Sequence, residues 1–249
     1  MEDARANVSE IFASMQGEGL HVGRRHLFIR FGGCPLRCRY CDTPASLVPV
    51  PTCRVAWGDG AVDRHPNPLS VAEVDALVAA RARSERRIHA LAVTGGEPLA
   101  QADFLAAWLP ERSLRVPVLL ETAATLPVQL ERVLPWVDIV SADIKLPSST
   151  GERAQWEEHE ACLRASRDRD LYVKLVVDEG TDGEEVEAGV RLVLQVREDI
   201  PVFLQPATAG SDGRLLIQAR TLEVLYTRAV RAGADVRIVP QIHKMLGMP

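Results

Sequence analysis

Three cysteines within eight positions, Cys34, Cys38 and Cys41, are the residues of this chain best suited to chemistry that ordinary acids and bases cannot perform. Thiolates are soft ligands, selected by iron-sulfur clusters and by zinc. Spacing alone leaves both metals open. A structural zinc site is normally closed by a fourth Cys or His, and Cys53 or His65 could supply it. A four-iron cluster on three thiolates instead keeps one iron position open for a cofactor or substrate. Five cysteines in 249 residues are too few for a disulfide framework, so reduced thiols are implied. Cys53 and Cys162 read as small buried apolar residues.

Four further segments carry polar or conformationally special residues. Thr94-Gly95-Gly96-Glu97-Pro98 places paired glycines after an apolar run, where bare backbone can approach a ligand. It also reads as an ordinary strand-to-helix turn. Met15-Gln16-Gly17-Glu18-Gly19 is a Gly-rich segment able to fold over a cavity rim, and Asp42-Thr43 sets a hard oxygen ligand beside the last cysteine. The tail from Pro240 to Pro249 contains His243 and Lys244.

Positioning these residues falls to a βα series. Short apolar runs at His26-Phe31, Ala90-Val93, Val116-Leu120, Val137-Ala142, Leu171-Val177, Val202-Leu204 and Val236-Val239 predict strands buried on both faces. Helices are predicted at Ser70 onward, where Ser70 and Glu73 form a capping box, and over 101–109, 127–134, 154–165, 184–197 and 214–232. The expected fold is α/β: a partial (β/α) TIM-type barrel of parallel strands with helices outside, forming one domain over 1–249. Residues 44–68 hold five prolines and little periodicity, and read as a surface insertion with a short hairpin near Cys53-Trp57. Barrel sites gather at the C-terminal ends of strands, and Cys34, Thr94 to Pro98, Glu121-Thr122, Asp143 to Lys145, and Gln205-Pro206 all fall there.

Composition narrows the partners. A net charge of -5 without a Lys/Arg stripe argues against a nucleic-acid footprint. No stretch is apolar enough for a membrane span and the first ten residues hold no signal-peptide core, so a cytoplasmic protein acting on a small molecule is expected.

Cys34-x3-Cys38-x-Tyr40-Cys41 resembles the signature of the radical S-adenosylmethionine superfamily. The resemblance implies a 4Fe-4S cluster on these three cysteines, whose open iron chelates S-adenosylmethionine, with the GGE segment holding the methionyl group. The QGEG segment, Arg30 before the first cysteine, Asp42-Thr43, TGGEP and the terminal His243-Lys244 with final Pro249 occur in an order similar to the 7-carboxy-7-deazaguanine synthase family, over nearly the whole chain. That family contracts 6-carboxy-5,6,7,8-tetrahydropterin to a deazapurine with loss of ammonia. The resemblance implies hydrogen abstraction from C6 of the pterin, rearrangement, and regeneration of S-adenosylmethionine.

Carried over position by position, the resemblance assigns Tyr40, Cys41, Asp42, Gly95, Gly96 and Glu97 to S-adenosylmethionine, together with Ser141, Asp143, Lys145 and Gln205. It assigns Met15, Gln16, Gly17, Glu18, Arg30, Thr94, His243 and Pro249 to the substrate, and Thr43 to Mg2+. Arg30 suits a carboxylate by forked hydrogen bonding. Glu121 and Lys174 are further polar candidates. A flavodoxin-type electron donor and a homodimer are family expectations. Where relatives carry Ser-Pro-Lys, this chain has Ser141-Ala142-Asp143-Ile144-Lys145. Two rivals stay open: a glycyl-radical-enzyme activase, which shares the cysteine loop and an Asp-x-Lys strand end, and a zinc-stabilised binding module.

Overall fold

A computed structural model of the chain describes residues 4–58, 60–209 and 213–248. The chain begins with β1 (Arg5–Ala6) and β2 (Val8–Met15), then turns back into β3 (Arg25–Phe31). Next comes a hairpin of β4 (Thr52–Ala56) and β5 (Val62–Pro66), after which β6 (Leu69–Ser70) pairs onto β1. Alternation then sets in with α1 (Val71–Arg83), β7 (Ala90–Gly95), α2 (Ala102–Trp108), β8 (Val118–Thr122), α3 (Pro127–Val133) and β9 (Ile139–Ile144). It continues through α4 (Pro147–Thr150), α5 (Trp156–Ala165), β10 (Asp170–Val177), α6 (Gly183–Val196) and β11 (Val202–Pro206). A small ribbon of β12 (Thr208–Ala209) and β13 (Arg214–Leu215) precedes α7 (Ala219–Arg231), β14 (Val236–Ile238) and α8 (Ile242–Met245).

The main sheet has the order β14-β11-β10-β9-β8-β7-β3-β2-β4-β5. From β3 to β14 every neighbour is parallel, as buried apolar runs joined by helices require. Side chains alternate across it. Leu91, Val93, Val118, Leu120, Val140, Ala142, Val173 and Leu175 face the helices in the large outer core. Ala90, Ala92, Leu119, Ile139, Tyr172 and Phe203 form a second core with Phe12 and Phe28 on the other face. Lys174 of β10 and Glu18, just past the end of β2, meet at 2.5 Å although their strands stand five places apart, about 24 Å in a flat sheet, so the sheet curls into an incomplete barrel.

The helix starts follow local chemistry. Ser70 accepts a hydrogen bond from the Glu73 backbone N–H while the Glu73 carboxylate accepts one from the Ser70 N–H, completing the capping box of α1. Three sequence expectations need correction. Val8–Met15 lacks a continuous apolar run, since Ser9, Glu10 and Ser14 interrupt it, yet it forms β2 and pairs antiparallel with β3. Residues 44–68 contain the expected hairpin, β4 with the mostly exposed β5, but β4 also runs parallel to β2 and buries Cys53 and Val55 in the outer core. The helix expected over 214–232 starts only at Ala219, after β13.

Candidate functional site

Because the period of a strand is two, the inner face of each strand changes from apolar to polar toward its C-terminal end. Phe28 gives way to Arg30, Ala92 to Thr94, Ile139 to Asp143, Tyr172 to Lys174 and Phe203 to Gln205. Above the inner core lies a cleft of about 1260 Å³, its open mouth included, lined by those polar residues and by Cys34, Cys38 and Cys41.

The cysteine loop is fixed by its backbone. Cys34 N–H donates to Leu47 O at 3.2 Å, Gly33 N–H to Ser46 O at 2.9 Å, and Arg39 N–H to Thr150 O at 2.9 Å. Residues 46 and 47, at the start of the presumed insertion, thus brace the first cysteine. Burial pushes the Cys38 thiol up to about 11 and raises Cys34 as well, so bound iron must displace their protons. Gly96 closes in from β7: a Cβ there would collide with the carbonyl oxygens of Gly33 and Ser46.

Glu97 does not reach the cleft. It is fully buried, and its carboxylate accepts from Leu99 N–H at 3.0 Å, Thr122 Oγ1 at 2.9 Å and Ala123 N–H at 2.7 Å, tying the end of β7 to the end of β8. Burial nevertheless raises its pKa. Ser141 is likewise buried on β9 beneath the cleft lining. Lys145 does line it: its Nζ donates to Asp143 Oδ2 at 2.8 Å and sits 5.4 Å over the Tyr40 ring. Burial alone would lower its pKa, but Asp143 and Tyr40 raise it well above the usual value, keeping the ammonium charged. His159 positions this strand end, accepting from Lys145 N–H at Nε2 and therefore donating from Nδ1 to Ala124 O.

A second set of polar groups comes from the β2–β3 turn. Gln16 Nε2 and Thr94 Oγ1 donate to the two oxygens of Glu121 at 2.8 and 2.9 Å. Glu18 Oε2 lies 2.5 Å from Lys174 Nζ. Burial would raise the Glu18 pKa, but Lys174 outweighs it and leaves the carboxyl below its usual value. Arg30 Nε is 3.6 Å from Glu10 Oε2, and Arg54 of the β4–β5 hairpin holds the other Glu10 oxygen at 2.5 Å. Asp42 accepts from Thr43 Oγ1 at 2.7 Å and pairs with Lys244 at 3.0 Å. Burial would raise Asp42 too, yet Lys244 and the hydrogen bonds hold it well below the usual carboxylate range. The His243 ring packs on Gly17, where a Cβ would strike the imidazole.

Of the residues expected from sequence, Met15 to Glu18, Arg30, Cys34, Cys38, Tyr40 to Thr43, Thr94 to Gly96, Asp143, Lys145, Gln205 and His243 line this one cleft, as do Glu121 and Lys174. Pro249 lies outside the described residues. Cys53 sits in the outer core opposite His65 on β5 and does not line the cleft, so neither is placed to close a site on the cysteine loop. Sequence reasoning missed Phe12 and Phe28, whose rings stack at 5.0 Å, and also Thr208 and Gln241. Phe28 could have been found from its two-residue offset to Arg30, but Gln241 has no comparable signal.

These residues suit an iron-sulfur cluster with an organic cofactor. Three thiols share the cleft, Gly96 offers a cradle that any side chain would fill, and two buried acceptors on the lining, Asp143 Oδ1 and Gln205 Oε1, find no hydrogen-bond partner among the described residues. An incomplete parallel barrel with these features at its C-terminal rim defines the radical S-adenosylmethionine class. Residues 28–192 match the model of the Radical SAM superfamily. Over the full length the chain is 40% identical to a 7-carboxy-7-deazaguanine synthase of Geobacter sulfurreducens, covering 99% of each sequence. It is 35% identical to one of Methanopyrus kandleri, covering 96% of this chain and 93% of the relative. The crystal structure of QueE from Escherichia coli shares the fold, with a TM-score of 0.61 at 18% identity over 94% of this chain and 93% of the other.

The chain belongs to the 7-carboxy-7-deazaguanine synthase family of the radical SAM superfamily. Membership brings a 4Fe-4S cluster and S-adenosylmethionine as its cofactors. Among the described residues no helix is long and apolar enough to cross a membrane.

Proposed function

We propose that this chain converts 6-carboxy-5,6,7,8-tetrahydropterin to 7-carboxy-7-deazaguanine with release of ammonia, as a step of queuosine or other deazapurine biosynthesis. One observation carries the reading: the cleft that holds the three cysteines also gathers Arg30, Gln16, Glu121 and His243, groups matched to a carboxylated, amide-bearing bicyclic ring. Together the cluster and S-adenosylmethionine supply one-electron hydrogen-abstraction chemistry that acid-base side chains cannot.

The protein's share is binding, orientation and exclusion of water. Cys34, Cys38 and Cys41 hold the cluster. Tyr40, Asp42, Gly95 and the Gly96 backbone flank S-adenosylmethionine, with the open oxygens of Asp143 and Gln205 and the Lys145 ammonium facing its polar parts. Arg30 grips the substrate carboxylate by its guanidinium fork, backed by Glu10. Gln16 and Thr94 orient Glu121 so that it can accept ring N–H groups. Met15, Gly17 and Glu18 form the wall on which His243 closes, shielding the reacting carbon from water. Thr43 offers a hard oxygen to Mg2+, which would brace the substrate carboxylate. We read the chain as one cytoplasmic catalytic domain, active as a homodimer and reduced by a flavodoxin-type donor.

The test is an anaerobic assay of reduced, cluster-loaded protein with S-adenosylmethionine, Mg2+ and 6-carboxytetrahydropterin. Formation of 7-carboxy-7-deazaguanine with ammonia is expected. Recovery of unchanged pterin contradicts the proposal.

A further inference from the structure

The tail contains a side chain with no assigned part in this chemistry. Gln241 is 5% exposed, and its Nε2 lies 2.7 Å from Glu18 Oε1 and 2.7 Å from Asp42 Oδ2. Its Oε1 accepts from Thr208 Oγ1. The amide orientation follows from this surrounding, since the reverse would set its oxygen against two carboxylate oxygens. The side chain is therefore fully used. One N–H goes to each carboxylate, and those carboxylates lie 223 and 199 residues away in sequence.

The two acids belong to different machinery. Glu18 is on the substrate segment beside Gly17, while Asp42 directly follows Cys41 and accepts from Thr43. Lys174 backs the first and Lys244 the second, giving a row Lys174, Glu18, Gln241, Asp42, Lys244, of which the first four line the cleft. A donor standing between two like charges offsets part of their repulsion. A neutral group with two N–H donors and enough reach satisfies both without adding charge: a Glu would add a third negative charge, and a Met would remove the donor they share.

We infer that Gln241 is a positioning residue that couples the cysteine loop to closure of the tail over the substrate segment. Ile242 N–H donates to Gly17 O at 3.0 Å immediately beside it, so a displaced Gln241 takes the His243 contact with it. An ordered, cluster-bearing loop keeps Asp42 in place and the tail shut. The loop's backbone bonds to other segments among the described residues hold Gly33, Cys34 and Arg39 rather than Asp42, so a loop without its cluster loosens Asp42 and frees the tail. The inference deepens the proposed function and rests on it for the identity of the substrate.

Limited trypsinolysis after Lys244 reads the coupling without any turnover, comparing cluster-loaded and cluster-stripped full-length protein. Lys244 is protected by its contacts to Asp42 and Thr208. The stripped wild type should be cut about tenfold faster than the loaded form, which corresponds to about 1.4 kcal/mol of coupling. In Gln241→Met the two forms should be cut at similar, fast rates while the iron content and visible spectrum of the loaded form persist. In turnover, this variant should raise KM for the pterin about tenfold with kcat changed by less than about threefold. Equal cutting of loaded and stripped wild type overturns the inference without recourse to any variant. So does a Gln241→Met protein that keeps the wild-type ratio. If the pterin assay fails while the protease ratio holds, the coupling stands and the substrate assignment falls.

Discussion

At Gly96 the absence of a side chain is a requirement of the site. Two carbonyl oxygens, from Gly33 and Ser46, occupy the space a Cβ would take, so the β7 end, the cysteine loop and the following turn meet backbone to backbone. Gly96→Ala should force these segments apart. The expected outcome is a loss of S-adenosylmethionine affinity of about tenfold or more in equilibrium binding, with the iron content retained because all three cysteines remain. Unchanged affinity would show that the cradle is not where the cofactor lies. Such residues were legible because their types are rare in their setting: three close cysteines, paired glycines at a strand end, and an Arg before the first cysteine. Glu97 was misplaced by the same logic. Its position in the motif pointed to the ligand, while its carboxylate is consumed by Leu99, Thr122 and Ala123. Gln241 was invisible for the opposite reason, because nothing in a tail sequence indicates two acids converging from distant segments.

Alternation along the strands explains why the cleft is polar above and apolar below. The same alternation puts a histidine at the floor, where β3 begins: His26 is fully buried, and both ring nitrogens lack hydrogen-bond partners among the described residues. Burial, with His21 and His89 nearby, depresses its pKa to about 3, and burial lowers that of His159 to about 4. Both fall below the unfolded value of about 6.5, so the unfolded chain binds more protons between those limits. Their contribution is therefore complete above about pH 6.5 and is lost as the pH falls toward 4 and 3. From about pH 7.5 to about pH 5, each should remove about 2 kcal/mol of stability. Urea midpoints of wild type and His26→Leu at the two pH values measure this, and the variant should lose less on acidification; parallel behaviour would contradict it. Seven parallel strands were readable from continuous apolar runs, whereas β2 was not, because Ser9 and Glu10 break its apolar run and find polar partners on the neighbouring strands β3 and β4. Ser9 Oγ, for instance, donates to Arg30 O at 3.0 Å.

On the scale of the whole molecule, the curl of the sheet brings strand ends far apart in sequence around a single cleft. The barrel class was legible from the βα rhythm, but the role of residues 44–68 was not. Proline-rich sequence hides the long-range pairing of β4 with β2, and with it the bracing of Cys34 by Leu47 and of Glu10 by Arg54. The proposed chemistry requires a cluster with one iron open to that cleft. The most direct measurement is iron and sulfide analysis of anaerobically reconstituted protein, combined with the electron paramagnetic resonance spectrum of its reduced form before and after S-adenosylmethionine. About four irons and four sulfides per chain are predicted, with a signal that changes on adding the cofactor. A single tightly held zinc, or a cluster whose spectrum ignores S-adenosylmethionine, would contradict it.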